Sequence, residues 1–191
     1  MVGFNRRFSP HAIKIKDLLS NIHSSKSILV TVNAGHIPKD HWTQDPKIGG
    51  GRIIGEACHY IDLIRFFVGK KIIKVTSENA EESGSVIKDR STISLKFEDG
   101  SLGTILYLSN GAPNYPKERV EIFSEGKILQ LDNFKKMKGF GWKNFKKMNL
   151  FQQNKGQSAC ALAFIQGLQA GAPPISSEEI FDVAEATILA A

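Results

Sequence analysis

The sequence predicts an α+β domain built on an open, mainly antiparallel β-sheet with helices packed on one face. Five β-rich segments follow one another between residues 71 and 132 with no helical pattern between them. Asp99-Gly100 and Glu125-Gly126 stand between such segments, where tight hairpin turns are expected, so the strands are neighbours and antiparallel. Helical periodicity is confined to the flanks. The order is β-α-β-α, then strands, then two helices, which an antiparallel sheet covered on one face satisfies.

Taken from the start, Val2-Gly3-Phe4-Asn5 is short and β-like. Ser9 followed by Pro10 is a helix-start signal, and Ile13, Leu18, Leu19 and Ile22 continue a helix over 10–23. Residues 27–32 read as a buried strand rich in β-branched side chains. The stretch 36–51 is a loop, polar and punctuated by Pro38, Pro46 and three glycines. A second helix follows over 52–68, with Ile54, Ala57, Ile61, Ile64 and Val68 on one stripe and Gly69 as its stop. Strands are expected over 71–78, 91–97, 103–109, 119–124 and 127–132. Residues 133–153 form a basic flap or hairpin, in which Asn-Phe-Lys-Lys-Met occurs at 133–137 and again at 144–148. The last two helices span 158–170 and a segment that Ser176 and Glu179 open as a capping box. Val75, Ile93, Leu95, Phe97, Ile105, Tyr107, Val120 and Ile122 make the strands apolar enough to expect a partner on the sheet's open face.

At 191 residues, 41% of them hydrophobic and 23% charged, the chain reads as a single globular domain over 1–191. No apolar run approaches the ~20 residues that span a bilayer. Cys58 and Cys160 lie far apart, form no CxxC pair and follow no signal peptide, which fits reduced thiols in a cytoplasmic protein. The net charge of +6 favours anionic partners weakly. The lysine-rich segment interleaves aromatic residues, a pattern that also suits single-stranded nucleic acid, but no recognised nucleic-acid motif surrounds it. A solvated flap or subunit contact is the preferred reading. No GxGxxG or Walker loop is present, and Gly49-Gly50-Gly51 lacks the spacing of a phosphate cradle.

The helix over 52–68 carries the chemistry. Glu56, His59 and Asp62 recur at spacing three. A histidine there is suited to proton transfer, and Glu56 or Asp62 would orient its ring. A packed structural histidine is the alternative; a metal site lacks a second ligand pair. Arg52 and Asp62 on this helix, Arg6 and Arg7 near the start, and His36 and Trp42 in the loop are candidate substrate contacts.

Four stretches carry a resemblance. Gly49-Gly-Gly-Arg-Ile-Ile-Gly-Glu-Ala-Cys-His59-Tyr-Ile-Asp62-Leu is similar to the glycine-rich approach and H-x-x-D helix of the glucose–fructose oxidoreductase/inositol dehydrogenase (Gfo/Idh/MocA) family. Val2-Gly-Phe-Asn-Arg-Arg-Phe-Ser-Pro10, Glu98-Asp-Gly-Ser-Leu-Gly-Thr-Ile105 and Ala172-Pro-Pro-Ile-Ser-Ser-Glu-Glu179 resemble its interdomain turn, sheet hairpin and closing segment, in that order. The resemblance implies a C-terminal substrate domain that works beside an N-terminal Rossmann domain absent from this chain. It implies hydride transfer at a sugar, cyclitol or nucleotide-sugar carbon, NAD or NADP held by the missing domain, and His59 as acid/base. That family usually has an Asp four residues before the histidine; here Gly55 holds the place and Glu56 follows. Alone, the chain is expected to bind no cofactor and to be inactive. It is also expected to form homo-oligomers through the open sheet face; a non-enzymatic dimerisation module is the alternative.

Overall fold

The computed structural model describes residues 1–38, 40–45, 47–80 and 89–191. Eight strands form one sheet in the order β2-β3-β4-β1-β5-β6-β7-β8. They are β1 (Ser27–Asn33), β2 (Ile72–Asn79), β3 (Ser91–Phe97), β4 (Leu102–Leu108), β5 (Glu118–Ser124), β6 (Lys127–Asp132), β7 (Lys136–Phe140) and β8 (Lys147–Asn149). β1 runs parallel to β4, and every other pairing is antiparallel. The helices are α1 (Pro10–Leu19), α2 (Cys58–Val68), α3 (Gln157–Ala170) and α4 (Ser177–Ala190).

Local chemistry sets these elements. β3 alternates strictly between buried and exposed residues, with Ile93, Leu95 and Phe97 inward and Thr92, Ser94 and Lys96 outward. At the β3–β4 turn, Gly100 takes φ +81 while the Asp99 carboxylate accepts from the Ser101 amide and hydroxyl, both at 3.0 Å. Glu125 and Gly126 both have positive φ, as the β5–β6 hairpin requires. Ser9 Oγ caps α1 by accepting from the Ala12 amide at 3.1 Å. Ser176 Oγ does the same for α4 at 3.2 Å, but the Glu179 carboxylate turns to Arg7 instead of completing a capping box.

Several expectations are corrected. Residues 2–4 are not a strand; the chain enters a 3-10 turn at Asn5–Phe8 that buries Arg6 and Arg7. Helix α1 stops at Leu19, three residues short of Ile22, which is buried without being helical. The helix expected over 52–68 begins as a π-turn, Ile53–Ala57, before α2 proper. The basic segment is a hairpin, β7–β8, as its sequence suggested, and it continues the sheet edge. Its Phe134 and Met137 are fully buried, and Trp142 donates to the Ile128 carbonyl at 3.1 Å, so these side chains pack inward rather than offering a stacking platform. Pro46, read as a loop signal, lies outside the described residues.

The largest correction concerns the sheet faces. Ile93, Leu95, Phe97, Ile105, Tyr107, Val120 and Ile122 are buried in the main core, and Val75 packs against it, so this apolar surface belongs to the helix-covered side. The register places Leu102, Ser27, Phe123, Ile128 and Phe140 in one row on the open face, and Thr104, Leu29, Glu121, Gln130 and Lys138 in the next. That face is mixed, with apolar patches among charges.

Candidate functional site

The residues singled out by spacing go to three different places. Glu56 belongs to the π-turn and His59 and Asp62 to α2, and each meets a different set of partners.

Glu56 closes the first cluster. Its Oε2 accepts from Arg52 Nη2 at 3.1 Å and from the Tyr107 hydroxyl, and its Oε1 pairs with Lys117 Nζ at 2.6 Å. Arg52 also donates to the Gly35 and Ala34 carbonyls at 2.6 and 3.0 Å, which ties the loop after β1 to the π-turn. Burial alone would raise the Glu56 pKa. The Lys117 and Tyr107 hydrogen bonds, with the Arg52 charge, instead hold it down at about 2. An ionised carboxylate engaged by three donors is a clamp and a poor proton acceptor. It is not hydrogen-bonded to His59, contrary to the sequence expectation.

Glu118 closes the second cluster. Arg6 Nη2 pairs with its Oε1 at 2.8 Å, and the Tyr60 hydroxyl and Lys155 Nζ reach the same oxygen at 2.9 and 2.8 Å. Arg6 also donates to the Tyr60 hydroxyl at 3.1 Å, with its guanidinium 4.5 Å from the Tyr60 ring centroid. Burial opposes ionisation of Glu118, but Arg6 and Lys155 outweigh it and keep the carboxylate charged.

His59 lies between these clusters on the first turn of α2. Its ring meets Phe4 edge-on at 5.8 Å, and Nδ1 is buried without a partner. Burial, then the Arg6 charge, lowers its pKa to about 4 against the opposing pull of Glu56 and Glu118. The ring is therefore neutral at neutral pH and able to accept a proton.

Asp62 is elsewhere. Its carboxylate takes Arg7 bidentately, with Nε to Oδ2 at 3.0 Å and Nη2 to Oδ1 at 2.5 Å, while Arg7 Nη1 pairs with Glu179 at 3.1 Å. Both residues are buried, so this pair fastens the 3-10 turn to α2 and α4. His36 and Trp42 are exposed in the loop after β1, the Trp42 ring 5.9 Å from that of His41.

Spacing missed Tyr107, Lys117, Glu118, Tyr60 and Lys155. Glu118 and Tyr107 left a signal: each occupies an inward register position beside aliphatic neighbours, where a polar group must find a partner. Lys117 and Lys155 left none.

The described residues contain no group of three His, Cys, Asp or Glu side chains arranged for a metal ion, and no helix long and apolar enough to cross a membrane. Gly49 is pressed against the Thr43 and Trp42 backbone, where a Cβ would sit 2.6 Å away, so it serves loop packing. The sheet's parallel pair, β1–β4, is not joined by a glycine-rich strand-to-helix crossover.

The structure is thus an open sheet covered on one face, with a neutral histidine between two ion-pair clusters. The profile of the GFO/IDH/MocA C-terminal domain matches residues 22–129, and the chain belongs to that family. It is 28% identical over 139 residues to the uncharacterized oxidoreductase YrbE of Bacillus subtilis, covering 69% of this chain and 40% of that protein. It is 26% identical over 133 residues to myo-inositol 2-dehydrogenase of Thermotoga maritima, covering 66% of this chain and 39% of that one. The fold superimposes with a TM-score of 0.75 on GenD2 from gentamicin A biosynthesis, solved in complex with NAD, at 18% identity over 98% of this chain and 59% of GenD2. The matched segment thus spans about two-fifths of these curated relatives.

Proposed function

We propose that this chain is the substrate-side domain of a nicotinamide-dependent oxidoreductase acting on a hydroxyl or carbonyl of a sugar, cyclitol or nucleotide sugar. The observation that carries the reading is His59, a neutral histidine on the first turn of α2 between two clusters of fixed charge. A carbinol loses its proton as hydride departs, and a neutral imidazole can receive it, here as a weaker base than a free histidine because burial and Arg6 hold its pKa at about 4. In the reverse direction the imidazolium returns the proton. Glu56 holds Lys117 and the buried Tyr107 hydroxyl, and burial, aided by the Arg6 charge, keeps His59 uncharged. His36 and Trp42 supply a loop wall against which sugar C–H surfaces would rest. Arg7 and Asp62 act on this site only through the placement of α2.

The dinucleotide, NAD or NADP, would be held by a separate nucleotide-binding domain. Family membership and the NAD complex of GenD2 support that division of labour. Pairing of two copies through the open sheet face is part of the same proposal, supported by the row of Leu102, Phe123, Ile128 and Phe140.

The test uses the polypeptide that carries this domain together with a nucleotide-binding domain. His59→Ala is expected to lower turnover about 10²–10⁴-fold while leaving the affinity for the nicotinamide unchanged. Turnover at the unsubstituted level would make His59 a packing residue.

A further inference from the structure

The two clusters beside His59 are unbalanced. Glu56 is shared by Arg52 and Lys117, and Glu118 by Arg6 and Lys155, so four cations meet two carboxylates. Each carboxylate also accepts from a tyrosine hydroxyl, which adds a donor and no negative charge. His59 is neutral and does not alter the count. Two positive charges therefore remain, and the members that pair deepest, Arg6 and Glu118, are withdrawn from water, where an uncompensated charge is costly.

The excess is directional. Arg6 and Arg52 are the buried members, with side chains 8% and 3% exposed, whereas Lys117 and Lys155 are 40% and 17% exposed and form the solvent-facing ends of the clusters. Arg52 Nε is buried and has no acceptor, so the site holds donor capacity that the protein does not use. A neutral sugar would leave this charge as it stands. An anion beside the lysines would neutralise it through charge-assisted hydrogen bonds, which are short and strong where water is scarce.

We propose that the substrate of this site carries an anionic group, a carboxylate or a phosphate, bound by Lys117 with Lys155 reinforcing the field. This rests on the reading that the His59 site takes a sugar-type molecule, and it narrows that class to acidic sugars and sugar phosphates.

The test is titration of the 191-residue chain with D-glucose, D-glucuronate, glucose 6-phosphate and inorganic phosphate, followed by the NMR signals of His59. At low salt, at least one charged sugar is expected to bind ten-fold or more tightly than glucose, with the margin shrinking as salt rises. Glucuronate alone, or the phosphate ester alone, would name the group. Lys117→Gln is expected to erase the margin; if that variant proves misfolded by circular dichroism, Lys155→Gln and the salt dependence serve in its place. Glucose binding as well as both charged sugars would overturn the proposal and leave the sugar site intact. Inorganic phosphate binding as tightly as the charged sugars would also overturn it, as an anion site that does not read sugar. Absence of binding by every probe would overturn both this proposal and the reading beneath it.

Discussion

His59 titrates near pH 4 in the folded domain, and an unfolded chain would titrate it near 6.5, so its proton is linked to stability. Above about pH 6.5 both states hold the ring neutral and the linkage is silent. As pH falls from 6.5 toward 4, the unfolded state takes up the proton first and the folded state loses ground. His11, buried against the Met148 carbonyl, is lowered by burial in the same direction. Glu56, held at about 2 in the fold against an ordinary value of 4.5, stabilises above pH 4.5 and gives that up as pH falls toward 2. Asp62, raised to about 6 by burial, works in the opposite sense between pH 6 and 4, so the His59 contribution is read from a comparison of variants. Urea midpoints of His59→Gln are expected to fall less than those of the unsubstituted domain between pH 6.5 and 4, and to fall alike below 4.5. The same fall in both proteins between 6.5 and 4 would mean that folding does not shift the titration of this ring. Little of this was legible from spacing. The helix showed His59, but its two flanking carboxylates are clamped by residues as distant as Arg6 and Glu118, 112 positions apart, and no local pattern joins such a pair.

Elements differ in how fully local chemistry determines them. β3 was readable residue by residue because one face is buried and the other wet, which imposes the period of two. Helix α2 was harder, since Tyr60 through Arg65 are all buried and the stripe that marks an amphipathic helix is blurred. The start of α3 depends on backbone crowding that composition does not announce. Gly156 has φ +82, and a Cβ there would lie 2.5 Å from the Asn5 carbonyl oxygen and 2.6 Å from the Ser9 nitrogen. Asn5 Nδ2 donates to the Lys155 carbonyl at 2.7 Å, so the first turn of the chain and the approach to α3 are locked together. Gly156→Ala combines left-handed strain with a backbone clash and is expected to cost more than about 2 kcal/mol. Gly100→Ala is the control: φ is +81 but no atom lies within 4 Å of the added Cβ, and strain alone should cost about 1 kcal/mol. Equal losses for the two variants in denaturant titrations would show that the contact with Asn5 and Ser9 carries no weight.

At the scale of the molecule, two of the exposed apolar surfaces are unlike in kind. Helix α3 contains no charged residue, and Leu162, Phe164, Ile165 and Leu168 on it are between 41% and 68% exposed. The open sheet face mixes Leu102, Phe123 and Phe140 with Lys96, Glu121 and Lys138. An uncharged apolar helix is an association surface of low specificity, whereas a register of alternating apolar and charged rows admits few self-complementary arrangements. Because α3 begins beside Asn5, a domain joined ahead of residue 1 would lie close to it, leaving the sheet face for a second copy. The isolated chain should therefore associate through both surfaces. In sedimentation, the double variant Ile165→Glu/Leu168→Glu is expected to remove the larger species and leave a dimer, and adding Phe123→Glu should convert that dimer to monomer. Since all three side chains are at least half-exposed or nearly so, thermal midpoints of the monomer should shift by no more than about 0.5 kcal/mol equivalent per substitution. A dimer that survives Phe123→Glu would move the pairing of copies off the open sheet.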